Sequence, residues 1–393
     1  MSDLTVMPVV SASDRDQFLS FPYQLYQDDP LWVPPVLSDT EERIDPQRGT
    51  FFERGEAAFF LALRRGEVVG RICAADDRLA NLSQTQGNCL FGFFETIDDL
   101  QVAQAMLKSV AHWAERRGLE ILTGPYDLDY EDSYGVLVQG WDRPPAILCG
   151  HSPTYYKRLF EAMEFTPLRG DALAYEIQLQ TDSPSLERLL RLGQYVAKRA
   201  RVRVRPANMK DFEGEVDRVL YLLNHALTHL PGFVPWQREV LHKTFETFRA
   251  FADPELILFA EVDGRTVGWL PGVPNVNEAL IHANGLRRPW DYLRLWWHMR
   301  RQPACLAVKS VLVLREYWDQ GVPALLFAEM ARRAGDRGYQ WADLSLTAAD
   351  NPTTPTLAQR MGARIYKRYR VYQRPIKAVL SESGPLGEPN GQS

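Results

Sequence analysis

The stretch VLVLREYWDQGVPALLFAEMARRAGDRGYQWADLSL, residues 311–346, decides the fold. Its first residues are aliphatic and typical of a strand, and a short loop around Gly321 follows. An amphipathic pattern then predicts a helix over residues 322–337, and the next apolar run predicts a strand over 340–346. A strand, a glycine-containing loop, a helix and another strand indicate a mixed α/β sheet with helices on its faces.

An internal repeat extends this pattern over most of the chain. The segment FFLALRRGEVVG, which ends at Gly70, resembles LILFAEVDGRTVG, which ends at Gly268, 198 positions later. Two further matches follow in the same order, around Gly118 and Gly338 and around Met163 and Met361. Self-similarity in a constant order indicates two copies of one fold.

The repeat predicts two tandem domains over residues 1–180 and 181–377. In each copy the pattern predicts an extended segment and a helix, a hairpin, a strand, a helix, a strand, a short helix and a final strand. The polar, Gly- and Pro-rich end predicts a disordered tail over 378–393. Each copy carries an insertion of roughly 22 residues, which we expect to lie outside the sheets.

The composition excludes several classes of protein. Apolar residues make up 45% and charged residues 24% of the chain, which is typical of a soluble globular protein. The net charge of −5 provides no global field that would attract nucleic acid, and no apolar run is long enough for integral membrane association. The scattered cysteines and histidines, and the lack of a secretory signal, predict reduced thiols, no metal site and a cytoplasmic location.

The quoted stretch resembles the acyl-CoA-binding core of the GNAT acyltransferase superfamily. In that superfamily a strand runs into an Arg/Gln-x-x-Gly-x-Gly/Ala loop and then a helix, and Gly321 aligns with the middle glycine. LYQDDPLWVPP, PTYYKRLFEAMEF and YKRYRVYQ further resemble a bacterial family of tandem GNAT-like proteins of largely undefined activity. The resemblance implies an α/β fold of two tandem GNAT-like mixed-sheet domains. It also implies an N-acyltransferase that uses acetyl-CoA or another acyl-CoA and a small-molecule amine acceptor.

Several residues depart from the superfamily pattern. Trp318 stands at the Arg/Gln position and Pro323 at the final Gly/Ala position. At the place of the tyrosine that often serves as general acid, the second copy has Ala358 and the first has Phe160. These departures leave a second interpretation open, a non-catalytic tandem module that binds a small molecule or a partner in the cleft between the copies.

The second copy carries the predicted cofactor site. A helix that begins after a glycine offers backbone N–H groups and the positive end of its dipole to a pyrophosphate, and the preceding strand offers an edge to pantetheine amides. The predicted cofactor-binding residues are Leu312, Val313, Leu314, Gln320, Gly321, Val322, Ala324 and Asn351. Gly321 also suits a plain helix entry. For Asn351 the resemblance implies a pantetheine contact, whereas its place before Pro352 equally suits a helix cap.

Amine acylation needs one group that accepts the amine proton and one that protonates the leaving thiolate. We predict Glu261 and Tyr366 as these catalytic residues. Glu261 lies on a hairpin strand from which some GNAT enzymes supply a base, and Tyr366 lies on the final strand, where it could replace the missing tyrosine. Asp343 and Tyr369 are further candidates, and each of the four also suits an ordinary strand position.

Acidic residues distinguish the first copy. A phosphate would approach this copy at Thr96, Asp98 and Asp99, so we expect that the copy does not bind CoA. Its role would then be structural, or it would form one side of the substrate site. Its insertion contains four carboxylates within six residues, which we interpret as a solvated loop rather than a cation site because the spacing lacks the glycine and closing glutamate of a calcium loop. These residues are Asp127, Asp129, Glu131 and Asp132.

The insertion of the second copy, ANGLRRPWDYLRLWWHMRRQP, interleaves five arginines with three tryptophans over residues 283–303. A basic, aromatic helix can lie on an anionic membrane or contact nucleic acid. Trp290, Leu293 and Trp297 share one helical face. We therefore interpret the segment as a helix that packs this face on the sheet and directs its arginines outward, with no nucleic acid as partner.

Overall fold

The computed structural model describes two compact units that do not follow chain order. Described are residues 3–82, 84–128, 135–179, 184–199, 202–228, 235–249, 252–351 and 354–381. The N-terminal unit comprises the described residues within 1–171, 283–292 and 369–393, and the C-terminal unit those within 172–282 and 293–368. The boundaries 1–180 and 181–377 stay a prediction about the two copies in the sequence, because the compact units divide the chain differently.

Strands and helices alternate along the described chain in the predicted order. The first half contains β1 (Leu4–Pro8), α1 (Ala12–Leu25), α2 (Leu37–Arg43), β2 (Gly55–Arg64), β3 (Glu67–Asp77), α3 (Arg78–Asn81), β4 (Asn88–Thr96), α4 (Leu100–Glu115), β5 (Ile121–Gly124), β6 (Val136–Gln139), α5 (Tyr156–Ala162), β7 (Thr166–Pro167) and β8 (Ala172–Gln178). The second half contains α6 (Pro184–Arg199), β9 (Arg203–Pro206), α7 (Phe212–Ala226), α8 (Arg238–Arg249), β10 (Ile257–Val262), β11 (Arg265–Pro274), α9 (Asn277–Leu280), α10 (Pro289–Met299), β12 (Cys305–Val308), β13 (Leu312–Val313), α11 (Val322–Asp336), β14 (Trp341–Ala348), α12 (Thr354–Arg360), β15 (Arg364–Arg370), β16 (Tyr372–Pro375) and α13 (Ile376–Ser381).

Each unit is built around a mixed sheet, which confirms the predicted α/β class. The N-terminal sheet has the order β1-β2-β3-β4-β5-β16-β7, with β4 and β5 parallel. The C-terminal sheet has the order β6-β15-β8-β14-β12-β11-β10-β9, with β12 and β14 parallel and β13 paired to β11. Each sheet therefore contains a strand from the other half of the sequence.

The exchanged strands are held by burial in their host units. Leu173, Tyr175 and Ile177 of β8 alternate along the strand and belong to the hydrophobic core of the C-terminal unit. Tyr372 of β16 belongs to the core of the N-terminal unit. Burying apolar surface stabilises a sheet irrespective of which part of the chain supplies the strand, so local sequence patterns do not reveal this exchange.

The two hairpins confirm the internal repeat residue by residue. Ala62 pairs with Gly70 in the first hairpin, and Ala260 pairs with Gly268 in the second. A register shift follows immediately after each of these alanines. The turn residues Arg65, Gly66, Asp263 and Gly264 all have positive φ. Two positive-φ residues suit a two-residue turn that matches the twist of the strands.

The helices α4 and α11 also end alike. Gly118 and Gly338 follow them with φ of 73° and 85°, the left-handed region that glycine enters without steric cost. The matches found in the sequence therefore mark equivalent structural positions, and the chain contains two copies of one fold.

Two expectations about the connecting segments are wrong. Residues 376–381 form the helix α13, with Ile376 and Val379 buried, so the predicted disordered tail does not begin at 378. Residues 382–393 lie outside the described part of the chain. The first insertion supplies the edge strand β6 rather than staying outside the sheets. The second insertion forms α9 and α10 and contributes no sheet strand within its described residues, as expected.

The interpretation of α10 as a helix packed through its tryptophan face is wrong. Trp290, Leu293 and Trp297 are 50%, 69% and 57% exposed. The buried position of the helix is instead Asp291, which is fully buried, while its other residues are half-buried or exposed. In the described ranges, no helix combines the length and the hydropathy that crossing a bilayer requires.

Candidate active site

Two parallel strands of the C-terminal unit separate at the candidate site. The strand β12 pairs with β14 from Cys305 opposite Trp341 to Val308 opposite Leu344. The next strand, β13, pairs with β11 among the described residues, and Val313 lies opposite Gly268. We call the opening between β13 and β14, beyond the last pair Val308 and Leu344, the C-terminal fork.

The backbone of β13 presents one edge to this fork. The N–H of Leu314 donates to the carbonyl of Val267 on the β11 side. Because backbone polar groups alternate in direction along a strand, the N–H and carbonyl of Val313 point away from β11. The side chains of the predicted contact residues Leu312, Val313 and Leu314 are buried. The backbone is therefore the part of this strand that a ligand would meet.

Trp318, which departs from the superfamily pattern, has a defined place. Its indole N–H donates to the carbonyl of Val313 at 3.0 Å. The ring thereby bridges the end of β13 and the start of α11. The sequence marked this residue only as a mismatch, because its hydrogen bond depends on how the loop folds back.

The loop ends in a helix entry with free backbone donors. Gly321 has a φ of 82° and caps α11 without a side chain, and its carbonyl accepts from Leu325. The N–H groups of Val322 and Ala324 precede the first i to i−4 bond of the helix, and Pro323 has none to offer. An added Cβ at Gly321 would lie 2.8 Å from Cγ2 of Val196, so glycine is also required for packing.

A cleft of about 250 Å³ lies beside this helix entry. Its lining residues come from the loop, the first turn of α11 and the short helix α12, and they are Trp318, Gly321, Pro323, Ala324, Thr356, Leu357 and Arg360. Arg360 is exposed and forms no ion pair with any residue in the described ranges. The helix dipole and this guanidinium both favour an anion in the cleft.

Two predicted cofactor residues use their side chains locally. The Asn351 side-chain carbonyl accepts from the N–H of Thr354 at 3.0 Å, so this side chain caps the helix α12. The Gln320 side chain donates to the carbonyl of Glu316 at 2.9 Å. The contact of Asn351 with pantetheine and that of Gln320 with phosphate stay predictions. Arg360, which sequence reasoning missed, faces the cleft only because α12 packs beside the start of α11.

A buried acid–base cluster lies at the fork. Asp343 is fully buried, and its carboxylate accepts from the hydroxyl of Tyr366 at 2.7 Å and from Nζ of Lys309 at 2.6 Å. Asp343 pairs with Ala307, one residue before the strands separate, and Lys309 follows β12 directly. The structure thus brings Tyr366 and Asp343 together and adds Lys309. No local signal in the sequence singles out Lys309, because its contact with Asp343 depends on the pairing of β12 with β14.

Glu261 has a different environment from this cluster. Its carboxylate accepts from Nε of Arg205 at 2.6 Å, and the same guanidinium binds Glu215 at 2.6 Å. Burial alone would lower the pKa of Arg205, but the hydrogen bonds that its guanidinium donates to the two glutamates raise it. Within the described ranges, Glu261 forms no hydrogen bond or ion pair with Asp343, Tyr366 or Lys309. Its role as a base stays a prediction, without support from this geometry.

Tyr369 belongs to a different part of the molecule. It is fully buried in the N-terminal unit, and its hydroxyl donates to the carbonyl of Gly150 at 3.0 Å. This hydrogen bond gives Tyr369 a structural role in that unit.

The corresponding strands of the N-terminal unit also separate, and we call this opening the N-terminal fork. The strand β4 pairs with β5 only from Asn88 to Leu90, opposite Ile121 to Thr123. By this register, Thr123 occupies the place that Asp343 has in the C-terminal unit. A neutral hydroxyl therefore replaces the buried carboxylate.

The chain itself fills the N-terminal fork. After β5 it continues along β4, where the N–H of Tyr126 donates to the carbonyl of Phe91 at 2.7 Å. The Asp127 carboxylate accepts from the N–H of Phe93 at 2.7 Å. The chain after β5 lies so close to β4 that a Cβ added at Gly92 would be 1.8 Å from the carbonyl oxygen of Tyr126. The other carboxylates of the predicted acidic loop, Asp129, Glu131 and Asp132, lie outside the described residues.

The helix entry of the N-terminal unit is also occupied. The Asp99 carboxylate accepts from the N–H groups of Gln101 and Val102 and pairs with Arg64 at 2.8 Å. Burial opposes its ionisation, but these hydrogen bonds prevail and lower the pKa of Asp99. Asp98 pairs with Arg158. A carboxylate thus takes the donors that a phosphate would need, which supports the expectation that this copy does not bind CoA.

Comparison with known proteins defines the class of fold. Residues 220–363 match the acetyltransferase (GNAT) family, a range that contains the C-terminal fork, the α11 entry and α12. A tandem GNAT protein from the clavulanic acid biosynthesis pathway has a TM-score of 0.54 at 13% identity, over 98% of this chain and 100% of that one. A GCN5-related N-acetyltransferase from Sphaerobacter thermophilus has a TM-score of 0.50 at 15% identity, over 95% and 96%. The fold is therefore the tandem GNAT fold, and the predicted resemblance is confirmed.

Two relatives match along nearly the whole chain. A protein named bacterial ceramide synthase, from Caulobacter vibrioides, is 27% identical over 383 residues, which are 95% of this chain and 98% of the relative. Protein YghO from Escherichia coli is 28% identical over 381 residues, 94% and 95% of the two chains.

No metal ligand set is formed by the residues that the structure describes. Within them, no three His, Cys, Asp or Glu side chains are grouped so that they could hold an ion. The expectation that the protein uses no metal stays a prediction.

Proposed function

We propose that this protein is an acyl-CoA-dependent N-acyltransferase whose cofactor site lies in the C-terminal unit. The observation that carries the proposal is the C-terminal fork. There an outward-facing strand edge leads directly into a helix entry and a cleft beside a cationic side chain. The match of residues 220–363 to the acetyltransferase family supports the same assignment.

Acetyl-CoA or another acyl-CoA is the proposed co-substrate. Its pantetheine amides would extend the edge of β13 at Val313, much as a peptide adds to a sheet. Its pyrophosphate would meet the N–H groups of Val322 and Ala324 and the guanidinium of Arg360. Because Trp318 already donates to the Val313 carbonyl, pantetheine would share that oxygen or displace the indole.

Tyr366 is the proposed acid and Asp343 the group that orients it. The amine nitrogen attacks the thioester carbonyl, so an N–C bond forms and the C–S bond breaks. The amine loses one proton and the leaving thiolate gains one, which conserves charge. Tyr366 would protonate the thiolate and recover a proton through Asp343, with Lys309 balancing the buried carboxylate.

A covalent acyl-cysteine is not part of this proposal. Burial raises the pKa of the Cys305 thiol well above its ordinary value, and the nearby Asp343 carboxylate raises it further. The thiolate is the nucleophilic form of cysteine, so this thiol is poorly suited to attack a thioester. Direct transfer from CoA to the amine fits the site better.

The acceptor is proposed as an amine, and its identity is open to experiment. The similarity to a bacterial ceramide synthase supports an acceptor of the long-chain amino alcohol class. A panel of acyl-CoAs of different chain lengths, each combined with short and long-chain amines, would define both substrates by the release of free CoA thiol. The cytoplasmic location belongs to the same proposal.

The cofactor site is tested by charge reversal at Arg360. Acyl-CoA at about 100 times its Kd should stabilise the wild type by about 2.7 kcal/mol in thermal unfolding. Arg360→Glu should weaken acyl-CoA binding by about tenfold or more, since it replaces a favourable charge with a repulsive one. Arg364→Glu is the matched control, because Arg364 is also exposed and lies only four residues away.

Each alternative outcome has a definite meaning. If acyl-CoA stabilises wild type and Arg360→Glu equally, the cleft is not the phosphate site. If no acyl-CoA stabilises the wild type, the non-catalytic tandem module becomes the better interpretation. Substitution at Gly321 is a poor test, since its positive φ and its contact with Val196 would strain the fold itself.

A further inference from the structure

The helix α10 exposes an unusual concentration of large apolar side chains. Of the ten tryptophans in the chain, three are exposed, and all three lie on α10. Three further large side chains of the helix are exposed beside them. The six are Trp290, Tyr292, Leu293, Trp296, Trp297 and Met299, between 39% and 69% exposed. Exposed apolar residues are normal when single, but a contiguous group indicates an interaction site.

Only a narrow stripe of α10 faces the protein. Asp291 is fully buried and accepts from the N–H of Arg288 at 3.0 Å. Leu295 and His298 are half-buried. Residues 291, 295 and 298 have the spacing of one helical face, so the rest of the circumference faces outward. The helix is therefore held in place by one side while its aromatic side remains accessible.

Positive charge surrounds these apolar side chains. Residues 287–302 contain five arginines, and their one acidic residue is the buried Asp291. The guanidinium of Arg288 lies 5.5 Å from the ring centre of Trp290, and that of Arg300 lies 4.2 Å from the ring centre of Trp296. Cationic and aromatic groups thus share one exposed surface. We call this set of exposed side chains within 287–302 the α10 surface.

We propose that the α10 surface docks on an anionic lipid bilayer, with α10 lying in the plane of the interface. Tryptophan and tyrosine rings favour the headgroup region, and arginines beside them pair with lipid phosphates. An 11-residue helix is about 16 Å long, so its apolar side chains would enter the interface side by side. Because the net charge of the chain is −5, the local arginines rather than the whole protein would direct this face to the membrane.

Charge and shape favour lipid over the other occupants. In a symmetric dimer through this surface, five arginines of one copy would meet the same five of the other, which is repulsive. On nucleic acid, Leu293, Met299 and the tryptophans on a convex helix would lie against charged phosphates. An anionic bilayer offers both a negative surface and an apolar layer beneath it. This inference does not depend on the proposed acyl transfer.

Vesicle binding tests the proposal with the full-length protein. The probes are phosphatidylcholine vesicles with and without phosphatidylglycerol, at low and high salt. Wild type should cosediment with the anionic vesicles, less so at high salt. Arg300→Glu/Arg301→Glu should reduce partitioning by at least tenfold, since each arginine near an anionic surface contributes about fivefold. Arg116→Glu/Arg169→Glu, which changes two exposed arginines elsewhere, is the matched control.

A second pair of variants tests the aromatic side chains. Brominated lipids should quench the tryptophan fluorescence of wild type, and Trp290→Phe/Trp296→Phe/Trp297→Phe should lose most of that quenching. Trp290→Ala/Trp297→Ala should weaken vesicle binding, whereas Leu79→Ala/Leu82→Ala, at exposed apolar residues elsewhere, should not. Because all these side chains are exposed, unchanged near-UV circular dichroism should show that the variants fold.

Several results would overturn the proposal. Equal binding of the α10 variants and their controls to anionic vesicles would show that another surface docks. Failure of wild type to bind anionic vesicles would reject it directly. A stable dimer or a nucleic acid complex abolished by the same α10 substitutions, without vesicle binding, would assign the surface to that other partner.

Discussion

The two forks of this protein show that copies of one fold can differ in whether the chain fills the opening between two parallel strands. In the N-terminal fork, the chain after β5 follows β4 and forms hydrogen bonds to Phe91 and Phe93. In the C-terminal fork, β11 is the strand that pairs with β13 among the described residues, and a cleft lies beyond β13. The difference teaches that the chain can close such an opening by supplying hydrogen bonds that a ligand would otherwise make.

The same difference extends to charge. At the helix entry, the N-terminal unit has the carboxylate of Asp99, whereas the C-terminal unit has Gly321, which leaves the N–H groups of the first turn to a ligand. At the sheet, the N-terminal unit has Thr123 and the C-terminal unit has Asp343, bound to Tyr366 and Lys309. Both differences favour an anionic ligand and proton transfer in the C-terminal unit.

The largest expected effect comes from disturbing the filled fork. Gly92→Ala places a Cβ 1.8 Å from the backbone oxygen of Tyr126, and backbone cannot give way as a side chain does. We expect the free energy of unfolding to fall by about 3 kcal/mol or more. Gly272→Ala is the control, since its nearest neighbour is the flexible side chain of Met330 at 2.9 Å. Denaturant unfolding of both variants measures the difference, and equal losses would mean that the N-terminal fork is not tightly filled.

The next effect concerns chemistry in the open fork. Tyr366→Phe removes the hydroxyl that donates to Asp343 while keeping the ring. We expect kcat for acyl transfer to fall about 100-fold, or about 2.7 kcal/mol, with acyl-CoA binding unchanged. The matched control is Tyr175→Phe. It removes a buried hydroxyl of the same sheet, and this hydroxyl has no hydrogen-bond partner in the described structure. Steady-state kinetics compare them, and a similar loss in both variants would remove Tyr366 from the proposed mechanism.

The smallest effect concerns the capped helix entry. Asp99→Ala should lower the free energy of unfolding by about 1 kcal/mol at neutral pH, because the α4 cap is lost. The folded pKa of Asp99 is below its unfolded value of 3.8. Its contribution is therefore complete above that value and disappears as the pH falls through the folded pKa. Unfolding of wild type and variant between pH 7 and pH 3 should show their difference shrinking toward acid, and a constant difference would contradict this assignment.

Local patterns predicted much of each copy. The paired hairpins, their glycine turns and the helices that end at Gly118 and Gly338 were predicted because their signals lie within a few neighbouring residues. The start of α11 after Gly321 was predicted for the same reason. These features depend on backbone conformation and apolar spacing, which neighbouring residues largely determine.

The sequence by itself therefore determined the repeat, the order of elements and the place of the candidate cofactor loop. Only the tertiary structure decided that β8 and β16 are exchanged between the sheets and that Lys309, Asp343 and Tyr366 meet. It also decided that α10 leaves its tryptophans exposed. The physical reason is that these outcomes depend on which distant surfaces pack together. Burial free energy depends on the area covered and not on separation along the chain. Local patterns therefore do not show which distant strands and helices will pack together.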